Sequence, residues 1–189
     1  MKKIIFTSAD GGVAVVHPAE GQRLAFAIQD AASGDIIELR DKAEPVDTFR
    51  RKWPVPGIKA VWAETEEEFL ARVASRSVPQ SATNVQFVDA SLIPADRTFR
   101  NAWKQNGAGI VHDMPKCREL HKLRLRELRA PKLAALDIEY QRADERGDTS
   151  AKRSIAAQKQ TLRDVTADPA IEQAATADEL KAVIPEALR

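Results

Sequence analysis

The sequence is short of cysteine, of aromatics, of long apolar runs and of net charge. A single cysteine, Cys117, in 189 residues excludes an intramolecular disulfide framework and any zinc module built on several cysteines. Aromatic residues make up 5% of the chain, with one tyrosine, so a core must be built from Ala, Leu, Val and Ile. No stretch reaches the roughly 18–20 apolar residues of a membrane span. The opening Met1-Lys2-Lys3-Ile4-Ile5-Phe6 looks like the basic end of a signal peptide, but its apolar run stops at Thr7-Ser8-Ala9-Asp10. The expectation is a protein of a reducing cytoplasm with no membrane partner. Lys+Arg is 29 against 28 Asp+Glu, a net of +1, which excludes a globally basic nucleic-acid binder and leaves only local patches. Phosphate loops with a following Lys-Ser/Thr, Gly-x-Ser-x-Gly and His-Glu-x-x-His are all missing, and Gly107-Ala108-Gly109 reads as a plain turn.

What remains is globular in proportion, 43% hydrophobic and 30% charged. The chain divides near residue 95. The reading is α+β: residues 1–95 form a small α+β module, and residues 96–189 form a helical hairpin region with short C-terminal helices. In the first half, Lys3–Phe6 and Val13–His17 flank Asp10-Gly11-Gly12, the pattern of a β-hairpin. Ile36–Leu39, Ile58–Ala63 and Asn84–Asp89 read as strands, while the rest of 19–45 carries little pattern. Asp47 is placed to cap a short helix over Thr48–Trp53, ended by Pro54-Val55-Pro56-Gly57. Thr65 and Glu68 have capping-box spacing at the head of a helix that closes at Pro79. The sum is roughly four strands and one or two helices.

From Asp113 onward the pattern is helical. Asp113 is an N-cap and Pro115 fits the first turn. Leu120, Leu123, Leu125, Leu128, Leu133, Leu136 and Tyr140 recur at mostly three- and four-residue steps and read as an apolar stripe. Pro131 is expected to kink or divide this helix. Gly147-Asp148 stops it and caps a second helix, Thr149–Val165, giving an αα-hairpin with Ile155, Leu162 and Val165 inward. Asp168-Pro169 and Thr176-Ala177-Asp178-Glu179 head two short helices around Ile171 and Asp178–Val183.

Candidate chemistry is sparse. His112, Cys117 and His121, with Asp113, are the one cluster that invites a metal, but they lack any standard ligand spacing. Cys117 with His121 as base lacks a nucleophile turn and an oxyanion donor. No catalytic residue, metal site or cofactor is assigned. The stronger signal is basic: Lys116, Arg118, Lys122, Arg124, Arg126, Arg129 and Lys132 lie within seventeen residues. They suit a phosphate-binding helix, a solvated face, or contact with acidic surface such as that of Glu64 and Glu66–Glu68 in this chain or a neighbour. Trp62 reads as core. Phe99 and Trp103, at i, i+4, read as docking the helical part on the α+β part, or, if exposed, as a partner anchor.

Three stretches carry a resemblance: Asp96–Trp103 (Asp-Arg-Thr-Phe-Arg-Asn-Ala-Trp) with His112-Asp113-Met114, then Arg129–Asp137 (Arg-Ala-Pro-Lys-Leu-Ala-Ala-Leu-Asp), then Gln158–Pro169 (Gln-Lys-Gln-Thr-Leu-Arg-Asp-Val-Thr-Ala-Asp-Pro). With Thr176–Pro185 they resemble a group of uncharacterised proteins of tailed-bacteriophage and prophage genomes. The element Gln158-Lys159-Gln160-Thr161-Leu162-Arg163-Asp164 on the second hairpin arm is similar to the C-terminal part of phage tail and tail-fibre assembly proteins. Val183-Ile184-Pro185-Glu186 stands where that family has a Trp-Pro ending. The resemblance implies a non-enzymatic phage protein that binds other phage tail proteins in the host cell cytoplasm, a tail assembly factor or chaperone. A tail-associated virion subunit is the alternative, and a nucleic-acid-binding or host-defence-modulating protein a further one; the near-neutral charge argues against nucleic acid as partner. Self-association as a homo-oligomer stays open. The expected contact residues are Trp103, Arg124, Arg126, Arg129 and Tyr140.

Overall fold

The computed structural model describes residues 1–53, 56–107 and 109–189. Helix outweighs strand, 49% against 24%, and the two are segregated along the chain, so the protein is α+β. Two compact units emerge: Met1–Ala95 with Lys104–Val111, and Asp96–Trp103 with His112–Arg189.

The first unit runs β1 (Lys3–Thr7), β2 (Val13–Val16), β3 (Leu24–Asp30), β4 (Ile36–Pro45), α1 (Val46–Arg50), β5 (Ile58–Trp62), α2 (Glu66–Ser77) and β6 (Thr83–Val88). Two antiparallel three-stranded sheets result, in the orders β2-β1-β6 and β4-β3-β5. The first hairpin pairs Thr7 with Val13, and Gly11 takes the left-handed turn position at φ +80°. Ser8 Oγ donates to the Gly12 carbonyl at 2.8 Å and Gly12 N–H donates to Asp10 Oδ1 at 3.1 Å, which fixes that turn.

Strand β3 is the one the sequence pattern hides. As the centre of its sheet it buries Ala25, Ala27 and Ile28 rather than alternating, and register shifts against β4 and β5 break its period. Helix α1 starts two residues earlier than expected. Val46 N–H donates to the Arg23 carbonyl at 2.9 Å straight off β4, so Asp47 sits inside the first turn instead of capping it. Burial of Val46 and Phe49 beside Ala25 and Ile28, at i, i+3 spacing, sets that phase. The expected stop falls partly on Pro54 and Val55, which lie outside the described residues. Helix α2 has the capping box read from Thr65 and Glu68, with both reciprocal hydrogen bonds made, and buries Phe69 and Leu70.

A two-stranded hairpin follows, β7 (Trp103–Asn106) and β8 (Gly109–His112), turning at Gly107; Ala108 lies outside the described residues. The helical unit then runs α3 (Met114–Glu145), α4 (Thr149–Asp164), α5 (Pro169–Gln173) and α6 (Ala177–Ala182). Asp113, Asp148, Asp168 and Thr176 each accept a hydrogen bond from a first-turn amide, and Gly147 at φ +69° ends α3. Pro131 does not divide α3, which is one helix of 32 residues. Pro131 and Glu127 are both exposed, so water can satisfy the Glu127 carbonyl that an amide at 131 would have taken. The core of this unit gathers Phe99, Ala102, Cys117, Leu125, Val165, Ile171, Ala174 and Leu180. Phe99 therefore packs inside the helical unit's own core.

Candidate functional site

Helix α3 decides what the helical unit can offer a partner. Its inward side carries Cys117, His121 and Leu125, one turn apart and buried. Four of the seven basic residues in the run are also turned inward and used. Arg118 donates to the carbonyls of Ile171 (3.1 Å) and Ala174 (2.9 Å) at the end of α5. Lys122 Nζ pairs with Glu172 at 2.7 Å. Arg129 donates to the Leu162 and Arg163 carbonyls at 3.3 and 2.5 Å, closing the C-terminus of α4. Lys132 Nζ donates to the carbonyls of Ala187 and Arg189, both at 3.1 Å. A phosphate-binding helix loses most of its charge to these internal bonds, and Glu64, offered above as acidic surface, is held by Arg72 at 2.6 Å in the first unit.

The expected contact residues separate accordingly. Trp103 is 4% exposed, and its Nε1 donates to His112 Nε2 at 3.3 Å. Tyr140 lies under two ammonium groups, Lys152 and Lys159, at 5.5 and 5.3 Å from its ring centre; those lysines pair with Asp144 and Asp137. That arrangement staples α3 to α4. Arg129 is a helix cap. Arg124 and Arg126 are exposed and make no ion pair among the described residues.

The outward side of α3 holds what the sequence reading did not separate. Leu123, Leu128 and Ile138 are exposed by 50, 48 and 52%. At 3.6 residues per turn, the seven-residue stripe read from the sequence cannot share one face. Leu125 and Leu136 turn toward α4 and the core, while Leu123 and Leu128 turn out. Beside the first half of α3 a groove of about 300 Å³ opens, lined by Leu120, Leu123, Arg124 and Glu127 of the helix and by Thr98, Phe99 and Asn101. A second, more apolar groove of about 410 Å³ lies between α3 and α4 over Leu136 and Leu162, with Lys132 and Ala187 at its edge.

The residues that invited chemistry are occupied elsewhere. His121 is 4% exposed, with Nε2 2.9 Å from the Val183 carbonyl, and burial holds its pKa below the usual histidine value. Burial also pushes the Cys117 thiol up, away from the thiolate a nucleophile needs. Among the described residues no three His, Cys, Asp or Glu side chains are grouped to hold a metal ion, and no helix is long and apolar enough to cross a membrane. Comparison with protein-family models, with curated proteins and with solved structures finds no match to this chain.

Proposed function

We propose that this chain is a non-enzymatic phage protein that binds a tail protein during assembly in the host cytoplasm, using the groove beside the first half of α3. The observation that carries the reading is the groove itself: a lining that sets Leu120 and Leu123 beside Arg124 and Glu127, on a helix whose other side is engaged with its own core. Such a surface fits a partner's apolar side chain flanked by charge. The resemblance of residues 96–185 to uncharacterised tailed-phage and prophage proteins, and of the element at Gln158–Asp164 to tail assembly proteins, supports the choice of partner. Arg126, exposed and unpaired, lies near enough along the helix to add a charged contact.

Co-expression with the tail proteins of the same phage or prophage, followed by affinity capture, tests it. The wild-type chain is expected to retain one tail protein, and Leu123→Glu to lose it without change in helix content. Failure of the wild type to retain any of them at micromolar concentration overturns the reading. Mass spectrometry of purified particles separates the assembly role from the virion subunit: the chain is absent in the first case and present at fixed copy number in the second.

A further inference from the structure

Beyond the groove, the outward side of α3 continues for the rest of the helix, and its charges follow a self-complementary order. Arg124 and Glu127 stand at one end, Arg142 and Glu145 at the other. All four are exposed, and none has an ion-pair partner among the described residues. Between them, Pro131, Ala134, Ala135 and Ile138 are exposed too. Together these residues form a strip roughly 100° wide, on the opposite side from Leu125 and Leu136.

We infer that this strip binds a second copy of the chain, with the two α3 helices antiparallel and a two-fold axis between Ala134 and Ala135. About that axis Arg124 faces the second copy's Glu145, and Glu127 faces the second copy's Arg142. Symmetry repeats both pairs, so four ion pairs form along an overlap of about 33 Å. Pro131 meets the second copy's Ile138, and the two alanines at the crossing let the backbones approach. A parallel, in-register pair would set Arg124 on Arg124 and Glu127 on Glu127, so charge selects the antiparallel form. The order Arg-x-x-Glu at both ends is what makes the strip fit its own inverse. An unrelated partner gives no reason for that symmetry.

The inference rests on reading the outward side of α3 as a docking surface, and it assigns that surface two parts. The overlap takes in Arg124 and Glu127 of the groove and leaves Leu120 and Leu123 beyond it at both ends of the dimer, where they and the Thr98–Asn101 side hold the tail protein. The assembly factor is then a two-ended adaptor.

Sedimentation of the full chain and of two charge variants tests this. Arg124→Glu/Arg142→Glu makes the strip wholly acidic, and Glu127→Arg/Glu145→Arg makes it wholly basic. The wild type is expected to sediment as a dimer. Each variant alone dimerises at least about tenfold more weakly, while an equimolar mixture of the two restores a 1:1 dimer. Circular dichroism confirms that the helices persist, as these exposed positions allow. A wild-type monomer at about 100 μM, or variants that dimerise as well as the wild type, overturns the inference. Leu123→Glu keeps the dimer mass while losing the tail protein, so failure of the dimer and failure of the partner reading are told apart.

Discussion

His121 Nε2 lies 2.9 Å from the carbonyl oxygen of Val183 inside the core of the helical unit, joining the first half of α3 to the residue that follows α6. Burial lowers the pKa of this imidazole; the Val183 carbonyl works the other way, and Arg124 adds to the lowering. Below about pH 6.5 the unfolded chain therefore takes up a proton that the native state refuses. Stability from this group is full above that pH, falls as pH drops through it, and levels off once pH passes the lower native value. Urea midpoints at about pH 7.5 and 5.5 are expected to fall with pH in the wild type and to fall less in His121→Phe. An equal fall in both rejects the assignment.

In the first unit, Glu64 accepts from Leu24 N–H at 2.7 Å and from Arg72 at 2.6 and 3.0 Å, and Arg72 donates onward to the Gln22 carbonyl. Burial opposes ionisation of Glu64, but the Arg72 and Leu24 hydrogen bonds outweigh it and depress its pKa. Its stabilisation is present above the ordinary glutamate pKa and is lost as pH falls through the native value. Glu64→Ala strands the Leu24 amide and the Arg72 guanidinium, at an expected cost of about 2 kcal/mol. Glu64→Gln is expected to cost less and to flatten the acid limb of the stability curve, as thermal unfolding against pH would record.

The two classes of arginine on α3 make a sharper contrast. Arg129→Ala removes the donor that closes α4 and is expected to cost about 1–2 kcal/mol. Arg126→Ala touches nothing internal and is expected to change stability by less than about 0.5 kcal/mol. Chemical denaturation of both variants checks the pair; equal losses would place Arg126 inside the fold.

Much of this architecture was legible wherever local chemistry was decisive. The Asp-Gly-Gly turn, the Thr65–Glu68 and Thr176–Glu179 boxes, and the caps at Asp113, Asp148 and Asp168 depend on residues within a few positions of one another. Tertiary choices were less legible. Strand β3 is buried centrally with shifted register, so it lost its alternation. Pro131 sits within α3 at an exposed position, one turn after the exposed Glu127. The basic run looked like one surface because sequence does not say that Arg118 and Arg129 reach carbonyls 56 and 34 residues downstream. The missed signal was in the spacing of the seven apolar positions. The two-residue step from Leu123 to Leu125 and the five-residue step from Leu128 to Leu133 carry the pattern off one side of a helix, and Leu123 and Leu128 face outward.

Hydrogen–deuterium exchange of the full chain, with and without the tail protein proposed as its partner, tests the docking role of α3 most directly. Added protection is expected at Leu120–Leu123 and at Thr98–Asn101, which lines the groove with it. Protection confined to the strands of the first unit, with α3 unchanged, would contradict the account.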